Sequence, residues 1–278
     1  MMKRRKKRKN RYKVKWKNLI ILIILLISIC AFIISGYNIF IWNKDNKSIN
    51  NQLDKIKKLV KVKSLSDSDN DKSENKDESN MYYDYMNMDL MDVDFNELSK
   101  INKDTKGWIK VNGTNINYPF VQTNDNEYYL THAFDKSYNK AGWVFVDYRN
   151  KLDGMDKNTI LYAHGRLNKT MFGTLRNILK NGWLNNKENY VVKISTKKEN
   201  SLWQVFSVYK IPETSDYIQT DFTSNDEFKE FANMLLKRSM HDFDTSVDSD
   251  DKILTLSTCY DKQNRLVLHA KLIKKSDK

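Results

Sequence analysis

The chain predicts a mostly β domain, an eight-stranded and largely antiparallel barrel, set behind one membrane-spanning helix. Three observations predict it. Eight short segments rich in β-branched and aromatic residues lie at 107–111, 116–121, 143–147, 159–164, 190–195, 202–211, 252–259 and 265–273. Turns rich in Asn, Gly and Asp separate several of them. Few helical stretches interrupt the series, and many short strands with few helices favour a closed barrel.

Taken in order, the chain begins with a basic tail, residues 1–18. Eleven Lys or Arg and no acid fall between residues 3 and 17, so of the net charge of +13 only +2 belongs to everything else. The basicity is therefore local, and a nucleic-acid-binding arm is the rival reading of it. The next segment argues for a membrane instead. Residues 19–41 carry no charge over 23 positions, enough to cross a hydrocarbon core of roughly 30 Å. Counting Trp42, the anchor is 19–42. It exceeds an ordinary secretory apolar segment, and no small-x-small cleavage site comes after it. Basic residues precede it, so the positive-inside rule predicts a single pass with the N-terminus in the cytoplasm and the C-terminal mass outside.

Residues 43–80 read as a stalk helix and a disordered linker. Ile49, Leu53, Ile56 and Val60 form an i, i+4, i+7, i+11 stripe suited to a short stalk or weak coiled coil. Residues 64–80 are polar and charged, with almost nothing to bury. The folded domain is 81–278. Asp94 with Glu97 predicts a capped helix to about Ile101. A short helix is expected at 171–179. A long one is expected at 224–240, with Ser224 as N-cap, Glu227 at the third helical position, and Phe228, Phe231 and Leu235 on one face.

Chemistry concentrates at the end of the seventh strand. Ile253, Thr255, Ser257 and Cys259 share one face, a polar turn comes next, and Arg265 opens the eighth strand. A hairpin here sets a thiol beside a guanidinium. Of the two cysteines, Cys30 lies in the membrane span, so Cys259 is a lone thiol outside the cell, where structural cysteines are usually paired. A nucleophilic thiol needs a proton carrier, and His132, His164, His241 and His269 compete. His269 sits mid-strand and His241 ends the long helix, which are structural positions. His132 lies in a loop-like stretch. His164 ends an apolar strand and precedes Gly165, which puts it at a rim. The residues alone leave the choice open. The acids from Asp242 to Asp251 lack the glycine and terminal Glu of a calcium loop; no metal and no cofactor is expected.

Thr255-Leu256-Ser257-Thr258-Cys259 with Arg265-Leu266-Val267 resembles the signature of the sortases, cysteine transpeptidases of the Gram-positive surface, and the details resemble class B. The similarity runs from about Asp92 to Lys274. It implies an eight-stranded sortase-type barrel with an N-terminal helix and a long helix between strands 6 and 7. It also implies Cys259 as nucleophile, His164 as proton carrier and Arg265 as oxyanion donor. Tyr162-Ala163-His164, with Met171-Phe172 seven residues on, is similar to the family's histidine motif, although Ala163 replaces Gly and Arg166 stands where class B often has Met. The resemblance implies substrate contacts at Ser257, Tyr217, Ile218, Asn126, Leu130 and Tyr162. The six-residue step from Cys259 to Arg265 is shorter than in class B and predicts a tight loop. The implied partners are surface proteins with a sorting motif like Asn-Pro-Gln-Thr-Asn or Ser/Asn-Pro-x-Thr-Gly, and an amine of peptidoglycan or lipid II. A surface cysteine protease and a non-enzymatic peptide-binding barrel are the rival readings.

Overall fold

Helix α1 (Trp16–Leu59) opens the computed structural model, which describes residues 15–65, 85–154 and 156–278. The chain divides into two units, residues 1–47 and residues 48–278. The first holds the apolar span predicted from sequence, a candidate membrane helix by length and composition.

The second unit contains a closed barrel. Its strands are β3 (Thr105–Val111), β4 (Asn117–Val121), β5 (Phe145–Val146), β6 (Asn158–Tyr162), β7 (Val191–Thr196), β8 (Glu199–Pro212), β9 (Ile253–Cys259) and β10 (Asn264–Asp277). Around the barrel they stand in the order β10-β8-β7-β3-β4-β5-β6-β9. Each matches a segment predicted from alternation, though β5 shrinks to two residues. The pairing is mixed. β4 with β5 and β6 with β9 run parallel; the remaining barrel pairs are antiparallel. A closed barrel leaves no unpaired edge, and side chains on both faces of its sheet are buried, Trp108 on one and Phe120 on the other among them.

The helices follow their caps. α2 (Asn96–Ile101) is capped as expected: Phe95 before it already has helical backbone angles, and the Asp94 carboxylate accepts from the Asn96 N–H at 2.9 Å. The predicted helix at 171–179 is a 3₁₀ segment (Gly173–Leu179); Met171 has φ +53°, which an α-helix excludes. A single helical turn, α3 (Asn181–Leu184), comes after it. α4 (Asn225–Arg238) joins β8 to β9, between the sixth and seventh barrel strands. Ser224 Oγ accepts from the Glu227 N–H at 3.1 Å, and Glu227 reaches back to the Thr223 N–H at 2.6 Å. Phe228, Phe231 and Leu235 are buried on its inner face.

The stretch read as a stalk behaves differently. Ile49, Leu53, Ile56 and Val60 are buried in the same apolar cluster as Trp108, Val111 and Tyr118. After this helical segment, β1 (Val62–Leu65) pairs antiparallel with β2 (Leu90–Val93), a two-stranded sheet outside the barrel. The stripe is the ordinary one for a helix lying on a core; periodicity shows that a face is apolar but not what covers it. Of the predicted linker, Ser64 and Leu65 are in β1, and residues 66–80 lie outside the described residues.

Candidate active site

The antiparallel register of β9 and β10 sets Arg265 directly opposite Cys259. The six-residue step is as tight as its length requires. Asp261 Oδ1 accepts from the Gln263 and Asn264 N–H groups at 2.9 and 2.8 Å, and the Tyr260 N–H reaches the Asn264 carbonyl at 2.9 Å. The hydrogen bonds from Gln263 and Asn264, that of the Gln263 N–H first, hold the Asp261 carboxyl below its ordinary pKa. Cys259 is a free thiol and is exposed. The Arg265 guanidinium forms an ion pair with Glu213, just past the end of β8.

The third group arrives on a neighbouring strand. β6 runs parallel to β9 with Tyr162 opposite Ser257, so two residues further on His164 leaves the barrel at the level of Cys259. Two contacts fix this level. Thr258 Oγ1 donates to the Ala163 carbonyl at 2.7 Å. At Gly165 a side chain has no room, since a Cβ would lie 2.1 Å from the Cys259 carbonyl oxygen. His164 Nε2 lies 2.8 Å from the Leu130 carbonyl oxygen. A carbonyl only accepts, so Nε2 carries the hydrogen and Nδ1 holds the basic lone pair. Gly142, at φ +62°, lets the 129–130 backbone come close, because a Cβ there would sit 2.5 Å from the Tyr129 carbonyl and 3.1 Å from the His164 ring.

The other histidines are engaged elsewhere. His269 is fully buried between the Tyr209 hydroxyl (Nε2, 2.8 Å) and Thr255 Oγ1 (Nδ1, 2.9 Å). Burial lowers its pKa to about 3, so it is neutral. His132 donates from Nδ1 to the Tyr128 carbonyl at 2.8 Å and stacks on that ring. His241 was expected to end the long helix; α4 stops at Arg238, and His241 meets the Tyr190 hydroxyl at 3.0 Å from the loop beyond.

One cleft of about 650 Å³ gathers Cys259, His164 and Arg265 with Ser257, Tyr217, Ile218, Asn126, Leu130 and Tyr162. Tyr217 packs inward with its hydroxyl 2.9 Å from Ser257 Oγ; burial pushes its pKa up and keeps the phenol protonated. The segment bearing Tyr217 and Ile218 is tied at two points. Arg238 at the end of α4 makes a two-pronged pair with Asp216 at 2.8 and 2.6 Å, and Arg149 Nη2 donates to the Ile218 carbonyl at 2.9 Å.

Behind the cleft lies a network that the sequence does not announce. Asp147 is fully buried and accepts from Arg149 Nε (2.9 Å) and Nη2 (2.8 Å), Tyr162 Oη (2.9 Å) and Asn126 Nδ2 (3.0 Å). Burial alone would raise the Asp147 pKa, but the hydrogen bonds from Arg149 and Tyr162 bring it below the ordinary carboxylate value. Burial and Asp147 together raise the Tyr162 pKa. Asp147 thus orients Tyr162 and Asn126 from behind. Asp147, Arg149 and Glu213 have no spacing that marks them; only the barrel brings them here. Gly165 was visible as the residue after His164, but its reason, the Cys259 carbonyl, was not. The acidic stretch near residue 248 caps its own turns, with Asp242 Oδ1 accepting from the Asp244 N–H and Asp251 Oδ2 from the Asp248 N–H.

A thiol, an imidazole and a guanidinium at one end of a groove can attack, protonate and stabilise an acyl centre. Comparison with known proteins points to the same chemistry. A family model described as the sortase domain matches residues 109–273. Sortase B of Staphylococcus aureus is 38% identical over 186 residues, covering 66% of this chain and 75% of that protein. Among solved structures, sortase B from Bacillus anthracis in complex with AAEK1 superposes with a TM-score of 0.61 at 38% identity, covering 65% of this chain and 84% of that one. A Staphylococcus aureus sortase B–substrate complex gives 0.61 at 38% identity, with the same coverage of both chains.

Proposed function

Because this chain belongs to the sortase B family of cell-wall transpeptidases, we propose that it joins surface proteins to peptidoglycan through a thioester on Cys259. Residues 19–42 anchor it in the cell membrane in a single pass, the basic tail in the cytoplasm and the barrel outside. The substrate is a C-terminal sorting motif of the Asn-Pro-Gln-Thr-Asn or Ser/Asn-Pro-x-Thr-Gly kind.

In the first half, the Cys259 thiolate attacks the carbonyl carbon of the motif's Thr. The carbonyl electron pair moves onto oxygen, and the Arg265 guanidinium donates hydrogen bonds to that oxyanion. As the intermediate collapses, the peptide C–N bond breaks. His164 in its imidazolium form gives its proton to the leaving amine. The products are a thioester on Cys259 and a released C-terminal fragment. In the second half, an amine of peptidoglycan or lipid II attacks the thioester. His164 takes up the amine's proton, the C–S bond breaks, and the thiolate–imidazolium pair is restored. The groove wall of Tyr217, Ile218, Asn126, Leu130, Tyr162 and Ser257 holds the motif.

The observation that carries this reading is the register of Arg265 opposite Cys259, with the turn bearing His164 against the Cys259 carbonyl. The test is intact-mass analysis of the full chain mixed with sorting peptides. A peptide alone leaves an acyl adduct on Cys259, and an added amine discharges it as ligated product. Cys259→Ala forms no adduct, and His164→Ala keeps the thiol but turns over at least about 10²-fold more slowly. Hydrolysed peptide without ligation, at saturating amine, returns the protein to the protease reading. Absence of any adduct with either motif removes the transpeptidase mechanism.

A further inference from the structure

Arg265 does not reach into open solvent. Its guanidinium is in an ion pair with Glu213, and both side chains line the cleft that holds Cys259. We propose that Glu213 is a positioning residue: its carboxylate holds the Arg265 guanidinium beside Cys259 in the orientation the oxyanion needs. The inference rests on the oxyanion role proposed for Arg265.

The backbone makes Glu213 a fixed base rather than a passing surface contact. β8 pairs with β10 up to Ile211↔Arg265 and Pro212↔Asn264. One residue further, the Glu213 N–H donates to the Gln263 carbonyl at 3.0 Å, inside the turn that joins Cys259 to Arg265. Glu213 is therefore stitched to the tip of the same hairpin that carries nucleophile and guanidinium. Its side chain remains 65% exposed against 22% for Arg265. An exposed pair of this kind adds little to stability, which leaves geometry as what it can change.

An arginine side chain has several rotatable bonds, and a donor must be aimed before charge develops if it is to lower the barrier. Glu213 engages Nη2. The guanidinium carries five N–H donors in a rigid plane, so fixing one arm orients the others without consuming them.

The test uses the full chain in detergent and the more reactive of the two sorting peptides, following acyl-adduct formation on Cys259 in a single turnover. Four proteins are compared: wild type, Glu213→Gln, Arg265→Lys and the double variant. Arg265→Lys is expected to slow acylation about 10²–10³-fold. Glu213→Gln is expected to slow the saturating rate about tenfold, a part of that donor's effect, with the half-saturating peptide concentration unchanged. In the Arg265→Lys background the same Gln substitution should change nothing. An equal loss in both backgrounds assigns Glu213 a role independent of Arg265 and overturns the proposal. So does a faster Glu213→Gln, or a change confined to half-saturation, which makes Glu213 a peptide contact. A slow Arg265→Lys beside a wild-type Glu213→Gln overturns this proposal alone. A wild-type rate in Arg265→Lys overturns the oxyanion role of Arg265, and this proposal with it.

Discussion

At Gly165 the absence of a side chain decides how closely the turn bearing His164 approaches Cys259. A Cβ there would lie 2.1 Å from the Cys259 carbonyl, a backbone atom that cannot step aside without moving β9. Gly165→Ala is thus expected to push the two strands' ends apart while leaving the Cys259 and His164 side chains chemically unchanged. Misplacement by about 1 Å costs on the order of 10²-fold in rate; steady-state ligation kinetics should show that loss, and a wild-type rate would mean the turn relaxes freely. His269 illustrates a different residue-scale effect. Its pKa falls from 6.5 to about 3 on folding because it is buried. Between those values the unfolded chain binds a proton that the folded chain refuses, so this group's contribution is complete above pH 6.5 and declines as pH falls toward 3. The slope from this one group is about 1.4 kcal/mol per pH unit. Urea unfolding at about pH 7 and about pH 5.5, on either side of the ordinary histidine pKa, should show it in wild type and not in His269→Gln. His269→Ala should likewise lower stability with little effect on the acylation rate per folded molecule.

At the scale of elements, the hairpin of β9 and β10 carries two of the three groups proposed to react, so their backbone register is local. His164 depends instead on the parallel pairing of β6 with β9. The segment from residue 48 to residue 60 matters for stability. Ile49, Leu53, Ile56 and Val60 are at most 9% exposed, and burying one such aliphatic side chain contributes about 1.5–3 kcal/mol. Of two truncations without the apolar span, one starting at residue 48 and one at residue 81, the first should therefore be the more stable. Starting at residue 81 should cost on the order of 5 kcal/mol, or roughly 10–20 °C in Tm for a domain of this size. Equal melting temperatures would show that the helix merely rests on the barrel.

For the whole molecule, the arrangement has one end of the barrel open as a groove and one exposed thiol at it. If the barrel stands outside the cell as proposed, a membrane-impermeant maleimide should label the protein on intact cells, and Cys259→Ala should abolish the label, since Cys30 lies within the apolar segment. Labelling that appears only after lysis would reverse the proposed orientation. Closure of the barrel makes the site possible. Cys259 and His164 are 95 positions apart in the chain, and the parallel pairing of β6 with β9 in the barrel brings their strand ends together.

What the sequence determined by itself is what depends on local order. Alternation located every barrel strand, because side-chain direction in a strand repeats every two residues. The 23 uncharged residues marked a candidate span because bilayer thickness is a length. Ser224 and Glu227 marked the start of α4 because a helix end needs its own acceptors. The motif around Cys259 and Arg265 was legible because a tight hairpin makes neighbours of residues six apart. What only the tertiary structure decided are the contacts between distant segments. The stripe from Ile49 to Val60 had the pattern of a stalk and of a core helix alike, and only the barrel surface beside it distinguishes them. The strands Val62–Leu65 and Leu90–Val93 need each other, and neither four-residue segment carries enough pattern alone. Asp147 beneath Tyr162 and Asn126, Gly165 against the Cys259 carbonyl, and Glu213 on Arg265 were unreadable for the same physical reason. Each acts through an atom at least 15 positions away in the chain.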